Sequence, residues 1–437
     1  METTIAAAFD QLHDPRFGII AAVAELRRPP EAPAYVHARA ETCGTVPLGG
    51  TGGPFRSVAA ATTRSSALAG AVAHALARYA AALYNRAGLP LSTFGDADFP
   101  CIEPRSFALF SSGQYLRPGF PYVPFAADTP VRWASMIDMA NGAVVHVPAS
   151  LVWHPFAFFR SAGDLPVAPP GTAGLATGGG VAAASLVGLY DVVARDAAAL
   201  FWQSMTPPPC IRNDTLPVAL RPLVARFQQH GDRLVLLNTT TNNRIPCVVA
   251  AIEASRPEAP AFVFAAAANL DPAAAVAQAL AELAESRRLA REAQRLRPPP
   301  SPSGEWEDVI EAEDHLGFAA DRENAGQVAF MLASDDHRHF ADIENASTGS
   351  AAGDLDNAIG RIALTGSRVL SANLTSPDLA GLGLAVCRVV VPGYQPLHPG
   401  HALRALGGDR LFEVPQKLGY RGIPRGSAAN PLPHPFR

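Results

Sequence analysis

The chain has 437 residues, 48% of them hydrophobic and 17% charged, with a formal net charge of −4. That composition excludes a largely disordered polypeptide, and the small negative balance gives no electrostatic case for a nucleic-acid or membrane-surface partner. The length allows one large domain or two to three ordinary ones.

The opening stretch, METTIAAAFDQLHDPRFG, is acidic from its second residue and has no basic stretch leading into an apolar run, so no signal peptide is visible. YVHARA, RSFALF, VVHVPAS, RLVLLN, PCVVAAI and CRVVVPG read as strands, and 66–84, 183–204 and 271–294 as helices. That mixture predicts an α/β (α+β) domain with a large sheet and packed helices. In SSALAGAVAHALARYAAALYN (65–85) one helix carries a single Arg, a single His and no acid. The gap is wider still: from Thr42 to Gly95 there is no Asp or Glu, where the chain average would place about five. Alanine dominates the stretch and His74, Arg78 and Asn85 interrupt it, which argues against a membrane span. Asp271 and Pro272 form the N-cap and first turn of the third helix. The consecutive prolines of LRPPPSPSGEWE (296–307) can neither continue that helix nor pair in a sheet. The chain therefore divides into an N-terminal segment (1–50), a core (51–295), a Pro-rich loop (296–310) and a C-terminal part (311–437). Cys43, Cys101, Cys210, Cys247 and Cys387 lack C-x-x-C or zinc-like spacing, so free thiols in a cytoplasmic protein are expected, with no disulfide and no structural metal.

Few stretches carry chemistry by themselves. GTAGLATGGGVAAAS (171–185) precedes a helix like a phosphate cradle, but it lacks a Lys-Ser/Thr ending and does not fit G-x-G-x-x-G followed by an acid; a turn is the better reading. DDHRHF (335–340) has a composition that suits a transition metal, yet such spacing reads first as a solvated polar turn. Asp191 and Arg195 stand at i, i+4, a helix-stabilising pair. Neither G-x-S-x-G nor H-E-x-x-H occurs. The final PLPHPFR places Pro431, Pro433 and Pro435 at alternate positions, a stiff extended tail suited to lying in a groove.

Taken in order, these segments resemble the YcaO family, in particular its azoline-forming cyclodehydratases of ribosomal peptide biosynthesis. LHDPRFGII, LFSSGQYLRPGFPYVPF and RWASMIDMANGAVVHVPASLVWHPF resemble its opening and central strands. GLYDVVARDAAALFW is similar to the helix carrying E-x-x-E-R, and ANLDPAAAVAQALAELAESR to the helix ending in T-E-x-x-Q-x-R. VVVPGYQPLHPGHALRALGGDRLFEVPQKLGY followed by NPLPHPF matches the C-terminal region, whose P-x-P-x-P tail marks the azoline-forming branch. The resemblance implies the YcaO fold, ATP and magnesium as cofactors, a Cys, Ser or Thr of a precursor peptide as nucleophile, and a tail (Pro431, Pro433, Pro435, Arg437) that reaches the reaction site.

The chain departs from that pattern at its carboxylates. The family's first helix carries S-x-x-x-E-x-x-E-R. One register sets Gly70, His74 and Ala77 at the Ser and Glu positions and keeps Arg78; the other keeps Ser66 and sets Gly70, Ala73 and His74 at the Glu, Glu and Arg positions. In the second helix Asp191 stands for the first Glu, Ala194 for the second and Arg195 is kept, after an approach about six residues short of the family's. In the third, Glu282 survives and Glu285 replaces Gln. Arg78, Asp191, Arg195 and Glu282 thus read as remnants of a nucleotide site, with no metal ligand set.

The expectation is a subunit with a degenerate ATP site that positions a precursor peptide or a partner enzyme. One alternative is an active ATP- and magnesium-dependent cyclodehydratase. Another is an ATP-independent catalyst in which His74 serves as acid or base. Expected partners are the precursor peptide, a separate leader-binding E1-like protein, an intact YcaO paralogue, and a second copy in a homo- or heterodimer.

Overall fold

The computed structural model describes residues 2–229, 231–302, 304–424 and 427–437. Strands β1 (Ile20–Leu26), β2 (Val36–Thr42) and β3 (Arg56–Ala61) form an antiparallel meander. A six-stranded sheet joins β4 (Leu91–Ser92), β5 (Val131–Asp138), β6 (Val144–Pro148) and β7 (Leu175–Gly178) to two strands from far along the chain, β13 (Leu370–Asn373) and β14 (Ala385–Val390). The third sheet runs β11 (Phe262–Ala268), β10 (Cys247–Glu253), β9 (Arg233–Asn238), β8 (Cys210–Ile211), β12 (His337–Arg338), antiparallel except for its last pair.

Five helices position the site: α1 (Glu2–Leu12), α2 (Arg64–Ala81), α3 (Val181–Gln203), α4 (Pro272–Leu296) and α5 (Ala312–Ala320). Thr63 caps α2 by accepting the Ser66 N–H at 3.2 Å. The helix lies on β2 and β3 and also packs against β7, where Thr177 Oγ1 donates to the Ala73 carbonyl at 2.8 Å. A Cβ on Gly70 would come within 2.9 Å of the Ala59 Cβ. Burial on more than one side explains the alanines, because only small residues admit such close approach, and an unpaired carboxylate there would be costly. The apolar contacts stabilise α2 through many small dispersion terms and through removal of its faces from water.

The close packing of α3 needs a glycine within it and one ahead of β7 for the same steric reason. Gly174 has φ +76° and a Cβ there would meet the Val389 carbonyl oxygen at 2.1 Å, while one on Gly188 would meet the Gly174 oxygen at 2.5 Å. The glycine-rich 171–185 stretch is therefore a tight strand–turn–helix join. Asp271 caps α4 by accepting the Ala273 N–H at 2.9 Å, with Pro272 in the first turn. α4 lies over β10 and β11 and reaches β3 and α5.

Most elements follow the sequence pattern, and two differ. RSFALF forms no strand: Pro104–Ser106 is a single 3-10 turn, and Phe107, Ala108 and Phe110 are buried without pairing in a ladder. The first long helix ends at Ala81, because Asn85 caps a separate short turn by accepting the Ala87 N–H at 3.0 Å. All five cysteines are free thiols. Among the described residues no helix is long and apolar enough to cross a membrane.

Candidate functional site

α2, α3, α4, the start of α5 and the C-terminal tail converge on one cleft. His74 and Arg78 enter it from α2, each tied to a carbonyl of β3. His74 Nδ1 stands 3.2 Å from the Val58 oxygen, and Arg78 Nη1 donates to the Arg56 oxygen at 3.2 Å. His74 keeps accessible surface although protein surrounds it, as a side chain lining an interior cleft does. Desolvation pushes its pKa down; Glu282 opposes that shift, and Arg437 and Arg78 add to it. Burial likewise lowers Arg78, with Glu313 of α5 opposing and Arg195 reinforcing.

α3 supplies Asp191 and Arg195, which meet at 2.9 and 3.0 Å. The Asp191 carboxylate also accepts the Gly174 N–H at 2.8 Å. Behind the pair, Arg388 of β14 is buried, donates from Nε to the Leu151 oxygen at 2.8 Å and leaves Nη1 without a partner. Burial brings its pKa down to about 10, with Asp191 opposing and Arg195 reinforcing. His154 faces Arg388 and Arg78 from the neighbouring loop, and desolvation first, then those cations, take its pKa down to about 4.

α4 presents Glu282 and the buried Glu285, and Glu285 is bonded to the Arg437 guanidinium. Arg437 arrives there because the tail is held along its length. The Asn430 N–H donates to the Gln203 oxygen at 2.9 Å, and Trp202 Nε1 donates to the Leu432 oxygen at 3.2 Å. Pro433, His434, Pro435 and Phe436 are buried, and Phe436 packs against Phe264 of β11. Three fixed proline φ angles reduce the entropy lost when the segment is ordered. The sequence predicts a stiff extended tail suited to lying in a groove, and in the structure the tail is largely buried and bonded to its surroundings.

The sequence-derived residues are linked electrostatically through Arg437, which feels Glu282, Arg78, Arg195 and Asp191, and through His74, which feels Glu282, Arg437 and Arg78. Pro431, Pro433 and Pro435 shape the tail that delivers Arg437, and only Pro431 of the three is exposed. Sequence reasoning missed Arg388, His154 and Glu313, which no motif marks and which only the packing of β14, a loop and α5 brings in. DDHRHF does not join the cleft: Arg338 pairs with Asp336 at 2.6 Å on the surface, and His339 caps a turn.

Magnesium requires several hard oxygen ligands in fixed octahedral places. α2 offers none, Asp191 is engaged by Arg195 and Gly174, and Glu285 is engaged by Arg437. The four arginines Arg78, Arg195, Arg388 and Arg437 already face the four acids Asp191, Glu282, Glu285 and Glu313. Of these four acids, Asp191 and Glu285 are thus bonded to the chain's own arginines.

Residues 59–395 match the family described as YcaO cyclodehydratase, ATP- and Mg²⁺-binding. The chain is similar to a heterocyclase solved in complex with substrate and cofactor, with a TM-score of 0.79 and 20% identity over 100% of this chain and 57% of that one. It is also similar to YcaO from Methanopyrus kandleri bound with AMPPCP and Mg²⁺, with a TM-score of 0.63 and 21% identity over 90% of each chain. A curated relative, an uncharacterised protein of Methanothermobacter thermautotrophicus, is 27% identical over 277 residues, or 61% of this chain and 66% of that protein. The chain therefore spans less than two thirds of the length of the first heterocyclase and just under two thirds of the curated relative. At these identities the structural likenesses show a shared fold.

Proposed function

The chain belongs to the YcaO family, and on that premise we propose that it serves azoline-type peptide maturation as a subunit with a degenerate ATP site, binding or positioning the precursor peptide or a partner enzyme. The observation that carries this reading is the cleft itself. The family's acid-bearing first helix is here the acid-free α2, and Asp191 and Glu285 are bonded to the chain's own arginines. A magnesium-bound triphosphate entering this cleft would have to displace those arginines while gaining few oxygen ligands. The buried tail, which brings Arg437 to the same cleft, supports a role in holding a peptide there. The partners proposed are a precursor peptide, a separate E1-like leader-binding protein, and an intact YcaO paralogue or a second copy in a dimer.

Isothermal titration calorimetry of the full chain with ATP and MgCl₂ is expected to give no binding heat. A micromolar dissociation constant would overturn the reading. It would favour the second one, an active ATP- and magnesium-dependent cyclodehydratase forming azolines from Cys, Ser or Thr. That reading draws on the family's ATP- and Mg²⁺-binding description, and phosphate release dependent on a precursor peptide would support it.

A further inference from the structure

Beside the cleft, where the tail passes α5, three histidines with no carboxylate among them come together: His315 of α5, His398, and His434 of the tail. All are buried, at 0%, 6% and 2% exposure, and their ring nitrogens lie within 4.8 Å of one another. The rings of His315 and His434 are 3.8 Å apart and nearly parallel, and His398 stands edge-on to both.

The hydrogen bonds fix which nitrogens of His315 and His434 carry protons. His315 Nδ1 donates to the His434 carbonyl at 3.1 Å, so its Nε2 is a bare lone pair, and that atom has no partner. His434 Nε2 donates to the His398 carbonyl at 3.1 Å, leaving Nδ1 bare except for a long 3.4 Å contact from the Phe436 N–H. His398 Nε2 is likewise without a partner. A fourth histidine, His401, stands with its ring 6.2 Å from that of His398, and its Nδ1 is unpartnered too. Burial keeps these imidazoles neutral at neutral pH, the state in which they ligate.

Buried, unpartnered imidazole nitrogens this close together offer a place to an electron-pair acceptor. An ion that accepts from imidazoles without help from carboxylates belongs to the borderline-soft transition metals rather than to magnesium or calcium. We propose that His315 Nε2, His398 Nε2 and His434 Nδ1 form a transition-metal site of the zinc class. Two rings stacked in parallel cannot both aim in-plane lone pairs at one ion, so metal entry turns His434 out of the stack and replaces the Phe436 contact. The backbone carbonyl that holds His315 Nδ1–H then acts as the outer support usual for metal-bound histidine. The ion would tie α5, the 398 segment and the tail together and so hold Arg437 against Glu285.

The test uses the full chain, stripped with chelator, reloaded with ZnCl₂ and dialysed, with bound metal measured by mass spectrometry. About one equivalent is expected in the wild type, falling roughly tenfold or more in His315→Gln and His398→Gln and unchanged in His337→Gln on exposed β12. Cobalt(II) in place of zinc is expected to show visible d–d bands in the wild type, a readout that does not depend on the variants folding. A wild-type chain that retains neither zinc nor cobalt, or variants that keep the full equivalent, would overturn the proposal. Neither result bears on nucleotide binding in the cleft.

Discussion

The wall of the cleft made by α2 and the tail that closes it satisfy their polar groups in different ways. Between Ser66 and Tyr79 the helix carries two polar side chains, His74 and Arg78, and both bond to carbonyls of β3 beneath. The tail bonds outward to several separate parts of the fold: Trp202 and Gln203 of α3, Glu285 of α4, His315 of α5, His398 and Arg404. A helix buried by small residues keeps its place whatever its polar edge carries, so its edge can lose carboxylates without loss of fold. A tail without regular structure depends on each bond it makes, so its order is sensitive to single changes. The cleft therefore combines a permissive wall with a demanding closure, and predictions that load one or the other separate the two.

The largest expected effect is on pH. His154 on the cleft side and His37 on β2 are both held to a pKa of about 4, by desolvation first and by nearby arginines second. Arg388 and Arg78 face His154, and Arg288 and Arg28 face His37. The pKa values are lowered, so the unfolded chain takes up protons first as pH falls. Stability is full above about pH 6.5 and is lost as pH drops towards 4. For the fully buried His37 this amounts to about 3 kcal/mol. Urea unfolding at stepped pH should show the loss, and His154→Gln should remove the cleft's share while leaving that of His37 and of the buried His315, His398, His401 and His434.

Next in size is the tail's charged contact. Arg437→Ala leaves Glu285, 2% exposed in its side chain, without its counter-ion. Removing one partner of a buried pair costs about 3 kcal/mol, and Arg437→Lys should recover only part of that, because an ammonium lacks the guanidinium fork. Denaturant midpoints of the three proteins check this. A loss below about 0.5 kcal/mol in the alanine variant, the value typical of a surface pair, would mean that the tail is held by its backbone bonds alone.

The contrast also marks what the sequence made legible. The spacing of apolar residues placed α2, α3 and α4 to within a few residues, and the resemblance drew His74, Arg78, Asp191, Arg195, Glu282 and Arg437 into one site before any contact was visible. RSFALF misled because a short apolar run reads as a strand, while Phe107 and Phe110 fill the core from an irregular segment that follows Pro104. Arg388 lies inside an apolar strand, and only the register of β14 against β7 shows that it backs the Asp191–Arg195 pair. The histidine cluster was beyond sequence reasoning, and the expectation of no metal rested on motif spacing. His315 and His434 are 119 positions apart and His398 and His434 are 36 apart, so no short motif joins them.

The smallest effect decides what the cleft's own ion pair is for. Asp191 and Arg195 are partly open to solvent, at 36% and 25% of their side chains, so Arg195→Ala should cost only about 0.5 kcal/mol, as an i, i+4 pair does. Asp191→Ala should cost more, about 1 kcal/mol, since it also leaves the Gly174 N–H without its acceptor. Both losses are small beside that of Arg437→Ala, so both variants should be folded at working temperature. That makes them clean reporters: a loss of peptide or partner binding well beyond tenfold in Arg195→Ala, measured by calorimetry, would exceed anything its structural role explains. Such a result would assign the guanidinium to a ligand, whereas unchanged binding would confine the pair to bracing α3 against Gly174.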